Sequence, residues 1–132
     1  MKRIFVSIVF VAALTAAWVA LADDAHKASS KPATKTLTGE VVDMGCYLGH
    51  GAKGAKHIEC ATKCIAGGMP MGLLTAEGEL YLITLDHDNA DPYNQLKDMA
   101  GKTVSLTGTV ITRNGMKGID VTEAKEMAAV TK

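Results

Sequence analysis

Thr103-Val104-Ser105-Leu106-Thr107-Gly108-Thr109-Val110-Ile111, followed across Arg113-Asn114-Gly115 by Met116-Lys117-Gly118-Ile119-Asp120-Val121, is the stretch that decides the fold. β-Branched and apolar residues alternate on either side of an Asn-Gly pair, the strongest short signal for a two-residue hairpin turn. The stretch predicts two long antiparallel strands. Upstream, Met71-Gly72-Leu73-Leu74 and Leu80-Tyr81-Leu82-Ile83-Thr84-Leu85 flank Thr75-Ala76-Glu77-Gly78-Glu79, whose glycine suits a positive φ, so a second hairpin is predicted there.

Between the hairpins, Asp86-His87-Asp88-Asn89-Ala90-Asp91-Pro92 reads as a turn. Asp91 is then a cap and Pro92 the first position of a helix over Tyr93 to Ala100, stopped by Gly101. Before the first hairpin, Leu37 to Asp43 reads as a strand, and His57 to Ala66 has helical spacing, with Ile58, Ala61 and Ile65 on one side and Gly67-Gly68 as a stop. Five strands of this length leave exposed edges in an open sheet, and closure removes them. The expected fold class is therefore mainly β: a small five-stranded barrel with one or two short inserted helices.

The first strand with Gly39-Glu40-Val41 and the closing Thr-Gly-Thr-Val … Asn-Gly-Met-Lys-Gly-Ile-Asp-Val hairpin resemble the oligonucleotide/oligosaccharide-binding (OB) fold, in its small secreted bacterial versions, over residues 37 to 121. The segment Gly-Cys-Tyr … His-Gly-Ala-Lys-Gly … His-Ile-Glu-Cys-Ala … Cys is also similar to a secreted family of no assigned activity. These resemblances imply an OB-like barrel and no particular function.

At the N-terminus, Lys2 and Arg3 precede an apolar run from Ile4 to Ala22 that ends in Ala20-Leu21-Ala22. This is the composition of a secretory signal peptide with a small-x-small cleavage site, placing residues 1–22 outside the mature protein and the rest in the periplasm or the medium. The run is also long enough to anchor the chain in a membrane if it stays uncleaved. Residues 23–35 (DDAHKASSKPATK) are polar and lack hydrophobic periodicity, as in a flexible tether. Residues 36–132 then form one barrel domain, with a Cys/His insertion at 45–68.

Charge and aromatic content exclude the usual OB ligand. Removing Lys2 and Arg3 from 14 basic residues leaves 12 against 14 acidic ones, a mature net charge of −2. Phe5, Phe10 and Trp18 go with the signal, leaving Tyr47, Tyr81 and Tyr93 as the mature aromatics. A surface without a basic groove or stacking platforms does not hold nucleic acid. No nucleotide loop, Gly-x-Ser-x-Gly elbow or haem-attachment motif points to an enzyme.

Chemistry concentrates instead in the insertion, where Cys46, Cys60 and Cys64, all three cysteines of the chain, lie with His50 and His57. His57, Cys60 and Cys64 stand three, four and seven positions apart and so share one face of the predicted helix. Thiolate and imidazole are the ligands zinc and copper take, so the expected partner is a metal ion, zinc or copper. Cys46 and a histidine complete the set, His57 ahead of His50. Met69 and Met71, either side of Pro70, carry thioethers that would favour copper if they reached the cluster, or would fill core gaps instead.

Two alternatives remain open at this point. A disulfide from Cys46 to Cys60 or Cys64 would close a loop of about 15 to 20 residues, worth roughly 3 kcal/mol, and make the chain a stapled module for a protein partner. A cycling thiol/disulfide pair would instead show a low thiol pKa. Outside the cluster, His26 falls in the tether and His87 in a solvated acidic turn whose spacing does not match a calcium loop.

Overall fold

The computed structural model describes residues 32–128. The predicted signal and all but the end of the predicted tether lie outside the described residues. Strands β1 (Ala33–Asp43), β2 (Met71–Thr75), β3 (Leu80–Leu85), β4 (Thr103–Arg113) and β5 (Met116–Glu126) close into a barrel in the order β1-β2-β3-β5-β4. β3 pairs with β5 in parallel, and the other neighbours are antiparallel. This is the OB-like barrel expected from the two hairpins.

The turn between β4 and β5 shows why the pair is so readable. Asn114 has φ 50° and Gly115 φ 82°, the two positive values of a mirror-image turn whose twist matches that of the strands. Alternation then places Val104, Leu106, Ile119 and Val121 in the core, all fully buried.

Strand ends differ from the sequence reading. β1 begins at Ala33 rather than Leu37, inside the stretch read as tether, and its added residues pair with β4 from Ala33↔Val110 onward. β5 runs to Glu126 rather than Val121, pairing as far as Val104↔Glu126. Both extensions are mostly exposed and polar, held by backbone hydrogen bonds that carry no hydrophobic signature.

Helices α1 (Met44–His50) and α2 (Ile58–Ala66) link β1 to β2, and α3 (Asp91–Leu96) links β3 to β4. α3 starts two residues before the predicted Tyr93, with Ala90 rather than Asp91 at the cap, and tightens into a 3-10 turn at Lys97–Met99. Leu96 of α3 and Ala100 after it join the barrel core, and α2 adds Ala61 and Ile65 to it. α1 is a helix that the sequence reading does not anticipate. No helix among the described residues is long and apolar enough to cross a membrane.

Candidate metal centre

The site lies where β1 gives way to the insertion, and Asp43 is its hinge. This last residue of β1 is fully buried and caps α1: its Oδ1 accepts from the N–H groups of Gly45 at 3.0 Å and Cys46 at 3.1 Å. Met44 N–H donates to Pro70 O at 2.9 Å, tying the start of α1 to the end of the insertion. Gly51, at φ 70°, supplies the left-handed residue that ends α1 after two turns. The Gly54 N–H then donates to the Glu40 carboxylate, pinning the loop back on β1.

α2 is oriented by its apolar face. Ala61 and Ile65, four apart, are buried against the barrel. Cys60 and Cys64 have the same spacing and precede them by one position, so they form a stripe about 100° round the helix. Burying one stripe therefore turns the other toward α1, which presents Cys46.

Donor atoms converge in two overlapping groups. One atom from each of Cys46, His57 and Cys60 lies within 4.8 Å of the others, and the same holds for Asp43, Cys46 and Cys64. Cys46 belongs to both and is the pivot. His57 Nε2 stands 3.4 Å from Asp43 Oδ2, so the carboxylate that caps α1 also faces the imidazole.

His50 lies elsewhere. It is the exposed last residue of α1 and belongs to neither group, so of the two predicted histidines the structure brings only His57 to the cysteines. His87 is exposed in the turn after β3, where Asp88 N–H donates to Asp86 Oδ1 at 2.8 Å.

The electrostatics follow from crowding acidic groups at one point. Burial works against the charge on Asp43, but the Cys46 and Gly45 amides, the Cys46 thiol and His57 all hydrogen-bond to it and together hold its pKa below the usual value. The Cys46 thiol, donating to that carboxylate and partly desolvated beside it, is pushed up to about 12. Burial and the neighbouring Cys60 thiol push Cys64 up as well. Without a cation, Cys46 and Cys64 hold their protons on sulfur.

All three cysteines are free thiols. The alternative staple is not formed: Cys46 is bonded to neither Cys60 nor Cys64, and Cys60 and Cys64, a helical turn apart, would close a disulfide poorly without unwinding the turn. Nor does Cys46 have the depressed pKa that a cycling thiol needs; it departs in the opposite direction. Asp43 is the member that sequence reasoning missed. An aspartate three residues before Cys46 has the spacing of a helix cap, but it reads equally as the last residue of a strand.

Comparison of the chain with family models, with curated proteins and with solved structures gives no match.

Proposed function

We propose that this protein is an exported metal-binding protein that ligates one soft transition-metal ion, zinc or copper, through Cys46, Cys60, Cys64 and His57, with Asp43 beside them. The observation that carries this reading is the convergence of four other donor groups, Asp43, His57, Cys60 and Cys64, on Cys46. Within each of the two groups the donor atoms stand within 4.8 Å of one another. A tetrahedral ion with metal–sulfur bonds of about 2.3 Å draws two sulfurs to about 3.8 Å, so gathering the set on one ion takes a contraction inside each group and an approach of Cys64 to Cys60 and His57.

Binding would release the thiol protons and replace them with one cation, relieving the crowding that keeps Cys46 and Cys64 protonated. Asp43 serves as a ligand or as the carboxylate that orients His57, the usual companion of a ligating imidazole. The apolar run at Ile4 to Ala22 supports export, and with it a role in metal handling outside the cytoplasm.

Elemental analysis of the full chain, expressed with its leader in metal-replete medium, tests the reading. About one equivalent of zinc or copper is expected, with three thiols that alkylate only after chelation. Cys46→Ser breaks both donor groups and should lose the metal. A protein that stays metal-free on reconstitution, or that shows a single reactive thiol before and after chelation, overturns the proposal in favour of a stapled module.

A further inference from the structure

We infer that Met69 supplies one of the four donors of this centre, beside the cysteines and in place of the imidazole, and that its thioether makes Cu(I) the preferred ion; the inference rests on the metal-binding reading above. The two methionines flanking Pro70 have different fates. Met71 is fully buried in the barrel core, where it fills space. Met69 is 39% exposed and is held between the two cysteine-bearing helices.

Backbone and side chain both place it there. The Met69 N–H donates to Cys64 O at 2.9 Å, and the following carbonyl, Pro70 O, accepts from Met44 N–H. The side chain lies across Gly45, the residue before Cys46. A Cβ at Gly45 would sit 2.8 Å from Met69 Sδ, 2.7 Å from Met69 Cε and 3.3 Å from Asp43 Oδ1. Glycine at 45 thus makes room for the thioether, which flanks the same backbone position as the capping carboxylate, one residue from the pivot cysteine.

The choice of ion follows from the donor. A thioether is soft and neutral: it binds Cu(I) well and adds little to a Zn(II) site, which draws on imidazole and carboxylate instead. It also adds no charge to a centre already crowded with acidic groups. The unbranched methionine side chain has the freedom to swing onto an ion bound by the cysteines. Copper arrives and remains as Cu(I), and the thiol protons it displaces pass to solvent, so no oxidant enters the step.

The reduced full chain, handled without oxygen, is titrated with Cu(I) against a chromogenic Cu(I) chelator and with Zn(II) against a chromogenic Zn(II) chelator. Met69→Leu keeps the side-chain volume and removes the sulfur. Its Cu(I) affinity should fall by about tenfold or more, with Zn(II) affinity within about twofold of the parent. An unchanged Cu(I) affinity, or equal losses for both ions, overturns the inference. X-ray absorption of the selenomethionine-labelled, Cu(I)-loaded parent protein supplies a readout that does not depend on the variant folding. A copper–selenium vector is expected, and its absence also overturns the inference. A parent protein that binds neither ion refutes the metal reading itself, whereas one that binds both without a copper–selenium vector refutes only the thioether.

Discussion

The barrel and the insertion between β1 and β2 are held together by different forces. In the barrel, β4 and β5 bring Val104, Leu106, Ile119 and Val121 to the centre, fully buried and apolar. In the insertion, α1 buries no residue and α2 buries two, while the fully buried Asp43 at its root is the one buried polar or charged residue among those described. Hydrophobic burial holds the barrel together, with Ala61 and Ile65 of α2 in the same core, whereas hydrogen bonds to a few carboxylates and carbonyls shape the rest of the insertion. A segment organised in this way has low local stability and much to gain from a ligand. Chemistry sits where the apolar core runs out.

The sharpest way to break this contrast is to damage the barrel and ask whether the insertion survives. Leu106→Ala removes a fully buried side chain from the centre of β4 and should cost about 2–5 kcal/mol, read as a lower denaturant midpoint. Metal binding should disappear in the same transition, because Asp43 and the apolar face of α2 are both positioned by the barrel. Metal binding that outlasts the barrel's unfolding would show that the insertion folds on its own.

Adding metal tests the contrast from the other side. At a free ion concentration 100 times Kd, linkage predicts about 2.7 kcal/mol of added stability. Hydrogen exchange locates it: new protection is expected at the amides of α1 and α2, with the β4 and β5 amides already slow in the metal-free protein. Uniform protection across the chain would mean that insertion and barrel are one cooperative unit.

The same division explains what was legible in the sequence. The barrel is written in local patterns, alternation interrupted by Asn114-Gly115 and by the loop at Gly78, and those patterns place all five strands. They fail at the outer ends of β1 and β5, where Ala33 to Thr36 and Thr122 to Glu126 are mostly exposed and pair through the backbone with a few polar side-chain contacts, such as Thr36 to Thr107. In the insertion, the i,i+4 spacing of Cys60 and Cys64 shows their common face. The helix α1 does not announce itself, because Met44-Gly45-Cys46-Tyr47-Leu48-Gly49-His50 contains two glycines and has no buried stripe. Its start depends on Asp43, and its anchorage on Pro70, 26 positions after Met44. Asp43 is both strand end and cap, and only the fold reveals the second role.

Asp43→Asn tests that role with the smallest effect. Asparagine retains an oxygen to cap α1 but replaces the acceptor facing Cys46 and His57, at a cost of about 1–2 kcal/mol at pH 7 in the metal-free protein. The sign of its pH dependence follows from the direction of the carboxylate's shift. Folding lowers the Asp43 pKa, so its charged form contributes stability that is present above the unfolded value, near 3.8, and is lost as pH falls through the folded value. The parent should therefore lose its advantage over Asp43→Asn only below about pH 4, where denaturant midpoints of the two proteins converge. The same variant removes the acceptor that holds the Cys46 proton, so Cys46 should alkylate faster than in the parent at pH 8. A stability gap that stays constant from pH 7 into acid would show that Asp43 acts through shape alone. The insertion would then be held by packing after all, like the barrel beneath it.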